Sequence, residues 1–541
     1  MSSSTMEKIT HLIVAAADQL RRVCPAILVL LLCSSLPAET ASGCEAHPKP
    51  FSFEELVQLA NVNPLPTELS SKLDDYLQQP LVCNEASTKQ TPNAGSPSRT
   101  LRITEWNINR GENFAAIQAG MSGPAEYHAR VKSQESAGKR RVLDEQLTEL
   151  SGSDVIVLNE VDIGVKRTEY RNIVRDLAVG MGMNYVYGIE FIELNPLFLG
   201  AHQMDVIDLA RQRRAGERFG VNSRLYAGLE GTALLSRYRI AHAAIIRLPQ
   251  KYDWYESEVN SISALEQARR WSAEKLFDER VHRQVRRGGR MALIVDLEVS
   301  QSPTGLITVV CPHLENYTPP AGRRAQMDAL LSGMESISNP VVLAGDLNST
   351  GSDGTPTSVK REIIKRVRNP RFWIGQLVSL VIPVPGLHFA LFPINYARKY
   401  HDPTVVDIPV LLSNREAAMF RDLRKFKFAD GLSFDIAGDA GFSFKKKEGT
   451  LANSNQRAWK GFAPTYSFRR NWRRLVGSYK LDWILVKKSS QDRLLAPARG
   501  RTLNRMNHTR DGRISDHAPV TVELGLSTSE AGKAVAKSNG K

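Results

Sequence analysis

One pattern recurs along this chain: a short run of apolar, often β-branched residues that stops on Asn, Asp, Glu or His. "VVLAGDLNST" (341–350) shows it in full. The segments "LRITEWNI", "SDVIVLNEV", "GTALLSR", "MALIVDLEV", "GLITVVCPHL", "KLDWILVK" and "APVTVEL" have the length and composition of buried strands. A chain with many such strands and fewer helices buries strand face on strand face. The expected core is therefore sheet on sheet, with helices outside. A polar residue after a strand is most often a turn former. Side chains two apart on an extended segment share a face, however, so Asp346 and Asn348 can converge on one ligand while Leu347 turns into the core.

The polar ends form a series. "TEWNIN" supplies Asn107, "VIVLNEVD" Glu160, "VVCPHLEN" His313, "LAGDLN" Asp346 and Asn348, "YKLDWILV" Asp482, and "RISDHAPV" Asp516 and His517. Taken singly, each reads as a cap, a solvated carboxylate or a satisfied histidine. Taken together, nearly all Asn, Glu, Asp or His and all at β-ends, they read as one site.

The series closely resembles the endonuclease/exonuclease/phosphatase superfamily, which includes pancreatic-type deoxyribonucleases, abasic-site endonucleases, secreted sphingomyelinases and inositol polyphosphate phosphatases. The motifs run in family order from about Leu101 to Leu524. The resemblance implies an α/β fold, a four-layer α/β/β/α sandwich of two packed mixed sheets flanked by helices, with the site at one end. It also implies phosphodiester hydrolysis, which requires charge neutralisation, an activated water and a stabilised leaving oxygen. Mg²⁺, with Mn²⁺ as the alternative, suits that work because it takes carboxylate and water oxygens and keeps exchangeable positions. Carried over residue by residue, the implied metal ligands are Glu160, with Asn107 beside it and Asp516 at a second or mobile ion. His517 is the implied general base, oriented by Asp482. Asp346 and Asn348 would position the nucleophile and bind phosphate, and His313 stands where relatives place a His or Tyr that contacts phosphate or assists the leaving group.

Further segments fit the resemblance. "GRRAQMDALL" matches an Arg-x-x-Gln helix through Arg323 and Gln326, read as structural. In "GTALLSR", Thr232 replaces the asparagine common in bacterial relatives. Thr465, in "PTYSF", is a packing or turn residue.

Outside the motifs the chain is less specific. Its 541 residues include 71 Lys+Arg against 57 Asp+Glu, a net +14, which favours an anionic partner: nucleic acid, a phosphorylated molecule or an acidic membrane. Residues 1–44 have the proportions of a secretory signal, so the expectation is export to a secreted, periplasmic or envelope-attached location. "ASGC" loosely resembles a lipoprotein cleavage site ending on Cys44; alternatively, Cys44 and Cys83 form a disulfide. A helical preamble is expected over 45–83, opening with the capping pair Ser52 and Glu55, then a linker over 84–100 and a main domain over 101–526. A disordered tail follows over 527–541.

Insertions are expected near 190–228, 250–289 and 351–430. Two carry the basic runs "RQRRAGER" and "RVHRQVRRGGR", which form solvated faces or hold a nucleic-acid backbone. The third carries an apolar stretch, 372–396, whose prolines argue against a membrane span. It packs as core or provides peripheral membrane contact. The substrate, an anionic phosphodiester, is thus nucleic acid, with phospholipid as the alternative. The third alternative is a silent relative that only binds.

Overall fold

A computed structural model describes residue 44, residues 49–88, 100–131, 137–194, 221–260, 271, 275, 284–349, 417–436, 464–469, 478–487, 494–509 and 512–526. Strands β1 (Leu81–Cys83), β2 (Thr100–Arg110), β3 (Val155–Ile163), β4 (Asn184–Glu193) and β5 (Leu229–Ser236) are followed by β6 (Ile240–Arg247), β7 (Arg286–Gly288), β8 (Met291–Glu298), β9 (Leu306–Pro312) and β10 (Val341–Asp346). After these come β11 (Phe434–Asp435), β12 (Tyr466–Ser467), β13 (Ser478–Tyr479), β14 (Asp482–Lys487), β15 (Pro497–Thr502), β16 (His508–Thr509), β17 (Gly512–Arg513) and β18 (Val520–Gly525).

The first large sheet runs β1-β4-β5-β3-β2-β18-β15, with β7 also on β4; the second runs β11-β14-β10-β9-β8-β6. Both are mixed: β2 is parallel to β3 and β9 to β10, while the other pairs in these two sheets are antiparallel.

Strand periodicity explains the layering. Leu101 and Ile103 of β2, Val155 and Val157 of β3, Val309 and Cys311 of β9, Val342 and Ala344 of β10, and Ile484 and Val486 of β14 form one cluster between the sheets. Residues of opposite parity, such as Trp106, Ile108, Ile156 and Leu158, pack outward with Leu143 and Leu147 of helix Ala137–Ser151 and Leu177 of helix Ile173–Met181. On the far side, Val310, Leu343 and Leu485 pack with Met327 and Leu330 of helix Pro320–Met334 and Phe420 and Leu423 of helix Ala417–Lys425. Two sheets flanked by helices on both sides is the expected four-layer arrangement.

Several boundaries differ from expectation. The 45–83 segment is not a separate preamble. Helices Phe53–Asn61 and Thr67–Gln78 bury Leu56, Leu59, Leu73 and Leu77 in the outer core of the first sheet, and β1 pairs with β4. Three residues, "LVC", are too short to reveal strand alternation in the sequence. A disulfide joins Cys44 to Cys83 and occupies the sulfur that thioether lipidation of Cys44 would need.

The insertion expected from 190 begins later, because β4 continues through Glu193. Within the third expected insertion, residues 417–425 form a helix of the outer layer, with Phe420 and Leu423 in its core. The signal segment 1–43, the stretch 372–396, the run "RQRRAGER" and the tail 527–541 lie outside the described residues. Among the described residues, no helix is long and apolar enough to cross a membrane.

The close approach of β9 and β10 requires glycine at 345, where an added Cβ would stand 2.1 Å from the Pro312 carbonyl oxygen. Gly345→Ala is expected to cost about 1–3 kcal/mol through overpacking. Urea unfolding measures this, and an unchanged midpoint would contradict the packing described.

Candidate active site

The inner faces of the strands are apolar along most of their length and become polar at one common end. On β2 the face continues from Leu101 and Ile103 to Glu105 and Asn107; on β3 it reaches Asn159, on β10 Asp346, and on β14 it begins at Asp482. The mouth of the inter-sheet space is therefore lined by groups that neither helix layer covers. Every site residue expected from the sequence lies there.

Asn107 donates from its amide nitrogen to Glu160 Oε1 at 3.2 Å and to Asp346 Oδ2 at 3.1 Å. Its own oxygen accepts the Asn109 N–H at 3.0 Å, so Asn107 presents nitrogen rather than oxygen to the two carboxylates. Glu160 sits at an irregularity in β3, where pairing with β5 shifts register between Leu158 and Val161 and the Glu160 φ is 52°. Such a bulge re-aims one side chain. Burial alone would raise the Glu160 pKa, but neighbouring Arg110 outweighs it and holds this carboxyl below its usual range.

His517 Nδ1 lies 2.8 Å from Asp482 Oδ2, and its Nε2 lies 3.8 Å from Asp346 Oδ2. Asp482 and Asp346 are cross-strand partners on β14 and β10. Burial by itself would lower the His517 pKa; Asp482 and Asp346 reverse this and hold it well above the ordinary histidine value. The loop is fixed from several sides. Ser515 Oγ donates to the Asn107 carbonyl and accepts the His517 N–H, and Trp106 Nε1 donates to the His517 carbonyl. Thr465 Oγ1 accepts the N–H groups of Leu481 and Asp482, while its carbonyl accepts the Ala518 N–H, which gives this residue a positioning role. Asp516 is half-buried beside His517, with Ser515 Oγ donating to it at 3.3 Å.

His313 forms a second imidazole–carboxylate pair. Its Nδ1 lies 3.1 Å from Glu190 Oε1 and its Nε2 3.9 Å from Asp346 Oδ2. Arg290 Nη1 donates to Glu190 Oε2 at 2.7 Å and lies 2.7 Å from His313 Nδ1 and 3.0 Å from its Nε2. Burial and Arg290 depress the His313 pKa, Glu190 more than offsets them, and the net shift is upward. Asn348 closes the group: its N–H donates to Asp346 Oδ1 at 2.8 Å and its side-chain amide to the Leu314 carbonyl at 2.9 Å. Arg323 and Gln326 bind the loop after His313 through the Glu315 and Thr318 backbone, as a structural pair would.

Glu190 was not anticipated. It lies on β4, buried along its whole length, inside "YVYGIEFIE", and a carboxylate within an otherwise apolar, fully buried strand was the available signal. Thr232 takes up part of its charge, donating to Glu190 Oε1 at 2.7 Å and accepting from Asn159, whose oxygen in turn accepts the Asp346 N–H. The run "RRGGR" also departs from expectation. Arg286 lies between the Phe191 and Trp254 rings, Arg287 covers Tyr255, and Arg290 is buried on Glu190. These guanidiniums serve internal contacts rather than a solvated face.

The donors suit a hard cation. Asp346, Asp482 and His517 offer ligand atoms all within 4.8 Å of one another, and the Asn107 amide draws the Glu160 carboxylate toward Asp346.

A sequence model of the Endonuclease/Exonuclease/phosphatase family matches residues 104–517, and the chain belongs to that family of phosphoester hydrolases. Among solved structures, it is similar to an endonuclease/exonuclease/phosphatase from Beutenbergia cavernae, with 14% identity over 79% of this chain and 72% of that one and a TM-score of 0.35. A 3'-5' exonuclease from Neisseria meningitidis is similar at 14% identity, over 79% of this chain and all of that one, with a TM-score of 0.33. An AP endonuclease from Archaeoglobus fulgidus is similar at 11% identity, over 78% and 98%, with a TM-score of 0.34. No curated protein matches the chain in sequence.

The Glu190 cluster sets an acid limit on stability. Burial raises this carboxyl, but His313 and Arg290 pull it down to about 2 from 4.5. The resulting stabilisation is complete above pH 4.5 and is lost as the pH falls toward 2, with a size on the order of 3 kcal/mol. Glu190→Gln should flatten the stability profile across that window relative to wild type. Urea midpoints at several pH values measure it, and parallel profiles for the two proteins would rule it out.

Proposed function

We propose that the protein is a metal-dependent phosphodiesterase of nuclease type, which hydrolyses its substrate by in-line attack of water. The observation that carries this reading is the convergence of two carboxylate-backed imidazoles, His517 with Asp482 and His313 with Glu190, on Asp346 Oδ2 at 3.8 and 3.9 Å. An in-line displacement needs a proton acceptor on one side of phosphorus and a proton donor on the other, and two separately oriented imidazoles provide both. His517 takes the proton from water as the new O–P bond forms. His313 gives a proton to the departing oxygen as the old O–P bond breaks, and a phosphomonoester and an alcohol leave. Asp482 and Glu190 fix the tautomers through Nδ1, as carboxylates do for catalytic histidines elsewhere.

Asp346 orients the attacking water, and the Asn348 side chain, fixed on the Leu314 carbonyl, shapes the phosphate subsite. Glu160 is the principal residue to hold Mg²⁺ or Mn²⁺, Asn107 supports it, and Asp516 serves a second or mobile ion. A cation held by Glu160 and Asp516 would bring positive charge to the phosphate and to the water, and would offset the Asp516 charge that favours imidazolium at His517. Tyr466 lies edge-on to His517 with ring centroids 5.0 Å apart, within a cluster that includes Phe468 and Tyr479. Aromatic side chains beside a phosphoesterase centre favour nucleic acid, whose bases stack on them. Export, and action on an extracellular or envelope substrate, remain part of this proposal.

The test is product release from plasmid DNA and from sphingomyelin vesicles. With Mg²⁺ the protein should cleave DNA, EDTA should abolish cleavage, and His517→Ala should lower kcat by about 10²–10⁴. Release from sphingomyelin but not from DNA would overturn the nuclease assignment, and turnover of neither would count against it and leave a narrower phosphoester specificity or a silent relative.

A further inference from the structure

Arg110 stands apart from the buried arginines around it. Arg167 holds Asp162 through two hydrogen bonds of 2.7 and 2.8 Å, Arg286 donates to Glu230 at 2.7 Å, and Arg290 donates to Glu190 at 2.7 Å. Among the described residues, Arg110 has one ion pair, with Glu230 Oε2 3.4 Å from its Nε, and that Nε is buried without a hydrogen-bond acceptor. Glu230 is in addition shared with Arg286 at 2.7 Å and Arg167 at 3.7 Å, so one carboxylate faces three guanidiniums. Glu230 and Glu160 both draw on the Arg110 charge, but among the described residues its guanidinium makes no hydrogen bond, so its donors are uncommitted. Its side chain is 16% exposed, and its charge acts on Glu160 at the edge of the site.

The backbone aims it there. Asn109 and Arg110 have φ of 47° and 64°, followed by Gly111 at 78°, and the pairing of β2 with β3 shifts register between Asn107 and Arg110. Two successive non-glycine residues in the left-handed region cost about 1–3 kcal/mol each and persist where the surroundings demand them. Here the distortion places a guanidinium beside Glu160, immediately after the strand has delivered Asn107.

We propose that Arg110 is a phosphate-binding residue, donating paired hydrogen bonds to non-bridging oxygens of the substrate phosphate. The planar guanidinium fork matches two such oxygens, and charge-assisted bonds of this kind are the strong ones. This rests on the phosphoesterase chemistry proposed above and adds the group that grips the substrate's anion independently of the two histidines.

The experiment titrates inorganic phosphate into the full chain by calorimetry at saturating Mg²⁺, for wild type, Arg110→Met, Arg110→Lys and His517→Ala. Arg110→Met should bind phosphate at least about tenfold more weakly, Arg110→Lys should fall between it and wild type because the charge stays and the fork is lost, and His517→Ala should keep most of the affinity. Equal affinity of wild type and Arg110→Met, even with a lowered melting temperature, overturns the proposal and leaves Arg110 a structural counter-charge. So does a wild type that binds no phosphate. If Arg110→Met fails to fold, Arg110→Lys decides, and an affinity equal to wild type then counts against the fork. Plasmid DNA cleavage by wild type and His517→Ala, measured in parallel, reports on the proposed hydrolysis separately, so failure of that chemistry is distinguishable from failure of the phosphate grip.

Discussion

The Asn107 side chain holds the two sheets together where the polar strand ends converge. It donates to Glu160 on the first sheet and to Asp346 on the second, and the Asp346 N–H returns to the first sheet through Asn159. Carboxylates facing each other across a low-dielectric gap repel, so a shared amide donor is what allows both to remain at the mouth. Asp346 receives the two imidazoles, and Glu160 is left at the edge, partly exposed.

Burying so many charges is costly, and the structure offsets that cost locally. Arg167, Arg286 and Arg290 are distributed over Asp162, Glu190, Glu193, Glu230 and Glu315, while Phe191 and Trp254 take the faces of Arg286. Removing one partner of such a set leaves an uncompensated charge and costs more than the pair contributed. The network also orients the site, because it includes Glu190, the partner of His313. Fold stability and the orientation of His313 therefore depend on the same carboxylate.

Much of this was legible along the chain. The strand runs ended on Asn107, Glu160, His313, Asp346, Asn348, Asp482, Asp516 and His517, and these residues share one mouth, because the period of two places successive polar ends on the same inner face. Their common order with a known superfamily identified the sandwich. Other features were not legible. Glu190 was hidden inside an apolar strand, and "LVC" of β1 was too short to show a period. "RRGGR" looked like a solvated basic run, and only the arrival of Phe191, Trp254, Tyr255 and Glu230 from elsewhere in the chain turned those arginines inward.

By itself the sequence determined the layers and the end of the sandwich at which the polar residues gather. Both follow from local periodicity and from the placement of polar residues at strand ends, which depend on near neighbours in the chain. Tertiary structure alone decided which imidazole takes which carboxylate, that Asn107 turns nitrogen toward Glu160 and Asp346, and that Arg286 hydrogen-bonds Glu230 while Arg110, among the described residues, makes only a longer ion pair with it. Those outcomes depend on distances between groups tens or hundreds of residues apart. Hydrogen bonding and charge pairing fall off within a few ångströms, so they are settled only when the two sheets close on each other.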